Sequence, residues 1–223
     1  LLSGACAMVS CLCVPFYNPT VYMGVGTPNT WHSCTQLIAM VFMLLCVPYT
    51  AHCYDHFASL LPVQRERALL PWREPITLGV LLFLSLLAKP TFMQALLPAA
   101  FVMFLVELIR RPTEWRYFGQ IVLAFVPSVG YFLLSYLYYT GVVVEFTSGV
   151  DIGITAESAW VAVRNTLMMS ACPLAAVIAC WRRGLFKNRL LVLALLMTLF
   201  SVLEAMAFRE TGMRAGHGNF TWA

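Results

Sequence analysis

Charged residues are scarce in this chain. They make up 11% of its 223 residues, whereas hydrophobic residues make up 61% and the mean hydropathy is +0.79. A soluble domain usually carries about 25% charged residues. A water-soluble fold of this size cannot bury so much apolar surface, but lipid can solvate it. The composition therefore predicts a polytopic membrane protein whose principal partner is the lipid bilayer.

The composition also argues against a disulfide framework and against nucleic-acid binding. Of the eight cysteines, only Cys34 belongs to a predicted outer loop, and the others lie in or beside apolar segments as small hydrophobic residues. The net charge of +4 comes from basic residues at the ends of predicted spans. Membrane topology alone explains basic residues there, so we expect no nucleic-acid partner.

The basic residues are distributed asymmetrically along the chain. Ten of the fourteen Lys and Arg residues fall in three clusters between apolar stretches. Short loops rich in Lys and Arg stay in the cytoplasm, so the clusters predict the cytoplasmic face. The clusters are Arg65/Arg67/Arg73, Arg110/Arg111/Arg116 and Arg182/Arg183/Lys187/Arg189. The alternate, outer side holds only Lys89, Arg164, Arg209 and Arg214.

Apolar segments predict an all-α bundle of about seven transmembrane helices, forming a single transmembrane domain over residues 1–223. A spanning helix needs roughly 20 residues, and its backbone must be hydrogen-bonded internally. The segments are 1–15, 37–54, 76–88, 91–109, 118–139, 160–181 and 190–208. The chain starts without Met inside an apolar run that lacks a basic leader, so we expect an internal fragment of a larger polytopic protein.

The third and fourth segments have two interpretations. Segment 76–88 is short, and Lys89-Pro90 follows it directly, so one kinked helix over 76–109 is possible. A helical hairpin with Lys89-Pro90 at its outer tip is favoured, because it keeps Arg73 and Arg110 on the same face. Pro90 suits the first position of the second helix, where its missing N–H costs nothing.

Candidate functional residues gather on the predicted outer face. Glu204 lies inside the last span, and intramembrane carboxylates are expensive and commonly functional. A pair with Arg164 and a water-filled cavity lined by both residues are equally compatible with the sequence. The other polar candidates come from segment 16–36, from the hairpin tip and from segment 209–223. They are Asn29, Trp31, His32, Lys89, Arg209, Arg214, His217 and Asn219.

A histidine pair lies at the opposite, cytoplasmic end of the second segment. His52 and His56 are one helical turn apart, a spacing that can bind a metal ion. Nothing else in the sequence supplies the remaining ligands, and His is common at a membrane interface. The sequence therefore predicts no metal site and no cofactor.

The predicted hairpin contains a short motif, Leu86-Leu87-Ala88-Lys89-Pro90, followed by a helix that runs into Ile109-Arg110-Arg111. This motif resembles a feature of polyprenyl-phosphate-dependent membrane glycosyltransferases of the GT-C class. The loop Pro28-Asn29-Thr30-Trp31-His32 and the ending Glu210-Thr211-Gly212 with His217-Gly218-Asn219-Phe220 are similar to those of uncharacterised bacterial membrane proteins of surface-polysaccharide pathways.

The resemblance implies an enzyme of the bacterial cytoplasmic membrane, and the charge pattern predicts that segment 209–223 lies outside. It would transfer sugar from a polyprenyl-phosphate-linked donor to a glycan or lipid acceptor. His217 or Glu204 would act as base, and Lys89, Arg209 and Arg214 would bind the donor phosphate. Trp31, His32, Asn29 and Asn219 would contact sugar. Family members usually carry a catalytic carboxylate in the first outer loop, whereas segment 16–36 has none.

Three other functions stay open at this point. One is an enzyme that resembles O-antigen polymerases and ligases, which use Arg and His instead of a carboxylate base. The absence of a carboxylate from segment 16–36 favours this alternative. A transporter or flippase would use Glu204, Arg164 and Lys89 as a path, although the inverted repeats typical of transporters are not evident. A purely structural membrane subunit would leave the outer polar residues dispensable.

Overall fold

The structure is a computed structural model that describes residues 34–60, 69–88, 90–142, 148–169, 175, 177–178, 184 and 187–212. The helices are α1 (Cys34–Leu60), α2 (Arg73–Ala88), α3 (Pro90–Arg110), α4 (Trp115–Val142), α5 (Ala156–Met169) and α6 (Arg189–Ala207). A short 3-10 helix, Pro112–Glu114, joins α3 to α4. Strands β1 (Ser148–Ile152) and β2 (Phe208–Gly212) pair in antiparallel orientation.

Three of these helices are long and apolar enough to cross a membrane. The qualifying stretches are Phe92–Arg110 in α3, Trp115–Ser135 in α4 and Arg189–Ala207 in α6. Large apolar side chains are widely exposed, with Leu44 71% and Leu134 68% accessible, as expected of surfaces that lipid covers. The helical, membrane-type architecture agrees with the sequence. The total of seven spans stays a prediction, and segment 1–15 lies outside the described residues.

The helices differ from the predicted spans mainly at their ends. Helix α1 continues six residues beyond the predicted end at Tyr54, and α4 extends the predicted 118–139 at both ends. Apolar windows mark the hydrocarbon, whereas helical hydrogen bonding continues into the interface. Phe208, predicted to end the last span, instead begins β2, and the β1–β2 ladder was not predicted.

The chain forms two compact units. Of the described residues, the larger unit comprises 38–60, 69–88, 90–142 and 189–200, and the smaller one comprises 34–37, 148–169, 175, 177–178, 184, 187–188 and 201–212. In the larger unit, α2 packs on α3 and α4 through Leu78, Leu82 and Leu86, which recur every four residues and so share one face. These leucines belong to a buried apolar core that also includes Leu96 and Leu193.

A glycine allows α2 and α4 to approach closely. A Cβ atom built on Gly79 would lie 3.1 Å from the backbone oxygen of Ala124. Small residues at such crossings let helix backbones pack directly against each other, which is a main source of association in membranes. A larger residue at position 79 would have to push the two helices apart.

Helices α2 and α3 form a hairpin. His56 Nδ1 lies 2.6 Å from Glu74 Oε1 at the start of α2, and the Tyr54 hydroxyl donates to Glu107 Oε2 near the end of α3. A continuous helix would separate Glu74 from Glu107 by about 50 Å. Since both glutamates contact residues only two apart on α1, the chain must reverse between α2 and α3. The hairpin favoured by the charge pattern is thus confirmed.

Candidate functional site

Glu204 is a buried carboxylate near the carboxyl end of α6. Its residue is 7% exposed, and neither side-chain oxygen has a hydrogen-bond partner in the described part of the chain. The rest of α6 between Leu190 and Ala207 is otherwise free of charged residues. A carboxylate in such surroundings is costly unless a proton, a cation or a polar ligand compensates it.

The structure does not form the Glu204–Arg164 pair that the sequence allowed. Arg164 lies half-buried on α5, but no hydrogen bond reaches either oxygen of Glu204 from it. The sequence left open a Glu204–Arg164 pair and a water-filled cavity lined by both residues. The described side chains do not support the pair.

The end of α6 that carries Glu204 is held in place by α5 and the loop before it. Ser158 Oγ donates to the carbonyl oxygen of Met206 at 3.0 Å, and the Gly153 N–H donates to the carbonyl oxygen of Ala207 at 2.9 Å. Thr155 and Ser158 exchange backbone-to-hydroxyl bonds of 3.0 and 3.2 Å, which cap the first turn of α5. The last carbonyls of α6 are thereby satisfied, and the helix end is fixed.

The strand that follows α6 gives Arg209 a defined position. In the β1–β2 ladder, Arg209 is the register partner of Asp151, and Glu210 is the partner of Val150. Arg209 therefore follows Glu204 by five residues across the helix-to-strand junction within the smaller unit. The remaining predicted site residues lie outside the described residues. They are Asn29, Trp31, His32, Lys89, Arg214, His217 and Asn219.

Polar side chains also gather at one end of the larger unit, which we call the basic end. It consists of the carboxyl-terminal turns of α1 and α3 and the amino-terminal turns of α2, α4 and α6. Phe57 stacks on Tyr117 with ring centroids 3.5 Å apart, and the Arg189 guanidinium lies 4.9 Å from the Tyr54 ring centroid. The contacts bring members of all three predicted basic clusters to one end: Arg73, Arg110, Arg111, Arg116 and Arg189.

Glu107 is the structural carboxylate of the basic end. Tyr54 donates to its Oε2, and the Arg111 side-chain Nε lies 3.2 Å from its Oε1. Both oxygens of this buried group are thus occupied, one by a hydroxyl and the other by a cation. A carboxylate with both oxygens paired stabilises the helix ends that it joins, and it has little remaining capacity to bind a ligand.

A second group at the basic end is only partly paired. His52, His56 and Glu74 each offer one ligand atom, and these atoms all lie within 4.8 Å of one another. The His56 and Glu74 side chains are 30% and 14% exposed, and His52 is exposed. The sequence showed the histidine pair but gave no sign of Glu74, because Glu74 belongs to a different helix and approaches the pair only in the folded chain.

Comparisons with known proteins give no relative. No protein-family model matches the chain, and no curated protein or solved structure is similar to it.

Proposed function

We propose that the protein is a membrane glycosyltransferase. It moves sugar from a polyprenyl-phosphate-linked donor to a glycan or lipid acceptor at the outer face of a bacterial cytoplasmic membrane. The observation that supports this is Glu204, a buried carboxylate in an apolar helix whose oxygens no described residue occupies. A protein retains such a group in a membrane span chiefly when it serves a reaction or a transported ion.

Sugar transfer gives an unpaired carboxylate a chemical role. As general base, Glu204 accepts the proton of an acceptor hydroxyl while the hydroxyl oxygen attacks the anomeric carbon of the donor sugar. The bond between that carbon and the phosphate oxygen breaks, and polyprenyl phosphate leaves with the bonding electron pair. In this scheme His217 is the alternative base, as the sequence predicts.

The leaving phosphate requires cations, and the sequence places three near the same predicted membrane face. Arg209 lies in β2, five residues after Glu204, and Lys89 and Arg214 belong to the predicted outer segments. Guanidinium groups bind phosphate through paired hydrogen bonds, which suits a lipid-linked phosphate at the interface. Trp31, His32, Asn29 and Asn219 are proposed to contact the sugar rings by stacking and hydrogen bonding.

The first test replaces Glu204 in the intact protein. We expect Glu204→Gln to lower glycan formation by about 100-fold or more, since general-base catalysis contributes 10²–10⁴-fold. Thr198→Val on the same helix is the matched control, because among the described residues the Thr198 hydroxyl donates to the Ala194 carbonyl oxygen of its own helix. Thermal stability in detergent should not fall in Glu204→Gln, because the substitution removes an unpaired buried charge.

The outcome of that test separates the enzymatic alternatives. If Glu204→Gln retains full product and His217→Ala abolishes it, the chemistry is that of the O-antigen polymerase type, which relies on Arg and His. If both variants insert normally and make full product, the assignment of Glu204 and His217 to catalysis is wrong.

Transport is the second candidate function, and the same buried carboxylate favours it. Protonatable groups inside membrane spans commonly carry ions or protons in transporters. A transferase turns over in detergent micelles, whereas a transporter shows activity only across a sealed bilayer. Flux in liposomes that is lost in Glu204→Gln, combined with no glycan product in micelles, would establish transport in place of transfer.

A further inference from the structure

We propose that His52, His56 and Glu74 form a binding site for a divalent transition-metal ion of the Zn²⁺ type, which joins α1 to the first turn of α2. The three potential ligand atoms lie within 4.8 Å of one another at the basic end. This site is distinct from Glu204, and it does not depend on the proposed sugar transfer.

The ligand set selects the class of ion. Two imidazole nitrogens and one carboxylate oxygen are a ligand combination that Zn²⁺ takes in tetrahedral sites with water in the fourth position. Mg²⁺ and Ca²⁺ instead prefer all-oxygen surroundings, so they should bind poorly here. His52 and His56 are four residues apart on α1 and therefore share one helix face, with ring centroids 5.9 Å apart.

Only small movements separate the present geometry from coordination. Zn²⁺ bonds of about 2.0–2.1 Å place tetrahedral ligand atoms about 3.4 Å apart. The 2.6 Å contact between His56 Nδ1 and Glu74 Oε1 would lengthen by about 0.8 Å, and the other separations, which are all within 4.8 Å, would shorten by at most about 1.4 Å. His52 is exposed, so its ring can turn toward the ion without displacing packed neighbours.

Glu74 provides the second observation in favour of a cation. Its Oε1 contacts His56, but its Oε2 is buried and has no hydrogen-bond partner among the described residues. The contact with His56 therefore leaves half of the carboxylate unsatisfied, which carries a desolvation cost. A bound divalent cation would compensate the charge of the whole group.

Binding should also stabilise the fold. The ion would link two helices that are separated by residues 61–72 in the sequence, and the unfolded chain does not hold these ligands together. A ligand that binds only the folded state raises the free energy of unfolding in proportion to the logarithm of its concentration over Kd. The melting temperature should therefore rise with Zn²⁺ concentration.

The test uses the full chain in detergent, without a histidine tag and after chelator treatment. Zn²⁺ affinity is measured by competition with a chromophoric chelator, and Co²⁺ serves as a spectroscopic probe of ligand geometry. We expect one Zn²⁺ per chain, a tetrahedral Co²⁺ spectrum and no competition from Mg²⁺. His52→Ala and Glu74→Gln should weaken Zn²⁺ binding at least about tenfold.

Asp55→Asn is the matched control. Asp55 is exposed on α1 between the two histidines but does not belong to the cluster, so its replacement should change Zn²⁺ affinity by less than about twofold. An equal loss in Asp55→Asn and His52→Ala would show general surface attraction and overturn the site. The site would also be overturned if the wild-type protein bound Zn²⁺ no more tightly than His52→Ala does. A Co²⁺ spectrum like that of the hydrated ion would overturn it as well. Normal glycan formation with no Zn²⁺ binding would refute this proposal alone.

Discussion

Replacing Gln120 should destabilise the fold, because its side chain holds the backbone of Leu70 just before α2. The Gln120 side chain accepts a hydrogen bond from the Leu70 N–H at 3.0 Å and donates one to the Leu70 carbonyl oxygen at 3.1 Å. Leu70 is only 2% exposed, so Gln120→Met leaves two buried backbone groups without these partners. At about 1–3 kcal/mol for each group, the free energy of unfolding should fall by about 2–6 kcal/mol.

Gln94 offers a control of the same residue type. Its Oε1 is buried without a hydrogen-bond partner among the described residues, so Gln94→Met removes a buried oxygen that this part of the chain leaves unpaired. We expect this variant to be as stable as the wild type or more stable. Unfolding in mixed micelles with rising SDS, followed by tryptophan fluorescence and circular dichroism, measures both variants. Equal changes in the two would refute the role assigned to the Leu70 bonds.

Two further substitutions test the packing and the basic end. Gly79→Val should destabilise the protein by about 1–3 kcal/mol, because its side chain meets the Ala124 backbone. Gly119→Ala, with open space around its Cβ, should stabilise by up to about 1 kcal/mol in the same assay. Tyr54→Phe should lower the free energy of unfolding by about 1.5–3 kcal/mol through the lost bond to Glu107. In a Glu107→Met background, which lacks the acceptor, the same substitution should cost far less, and this difference in a double-mutant cycle measures the coupling.

Charge and hydropathy predicted the helices well, because the bilayer determines where apolar and basic residues lie along a spanning chain. Helix α3 was predicted over 91–109 and runs over Pro90–Arg110, with Pro90 at its first position and the Arg110–Arg111 pair at its end. The hairpin was inferred from the need to keep Arg73 and Arg110 on one face, and the contacts of Tyr54 and His56 confirm it. The cytoplasmic location of that face stays a prediction, since the contacts establish proximity alone.

Nonlocal contacts were not predictable in the same way. Ser148–Ile152 and Phe208–Gly212 pair across more than fifty residues, and β1 contains Gly149 and Asp151 in place of a clear apolar alternation. Glu74 lies just before the apolar window that begins at residue 76, and His56 lies just after the window that ends at 54. A search for apolar spans therefore leaves out both Glu74 and His56, although the fold brings the two side chains into contact.

The carboxylates of the helical segments differ in how completely they are paired, and this difference separates their roles. Glu107 has both oxygens occupied, by Tyr54 and Arg111, and acts as a structural link. Glu74 has one oxygen on His56 and one buried without a partner in the described part of the chain, so a cation can still be accommodated. Glu204 has neither oxygen bonded by a described residue. Because an unpaired buried carboxylate only costs stability, Glu204 is the group whose presence most requires a functional explanation.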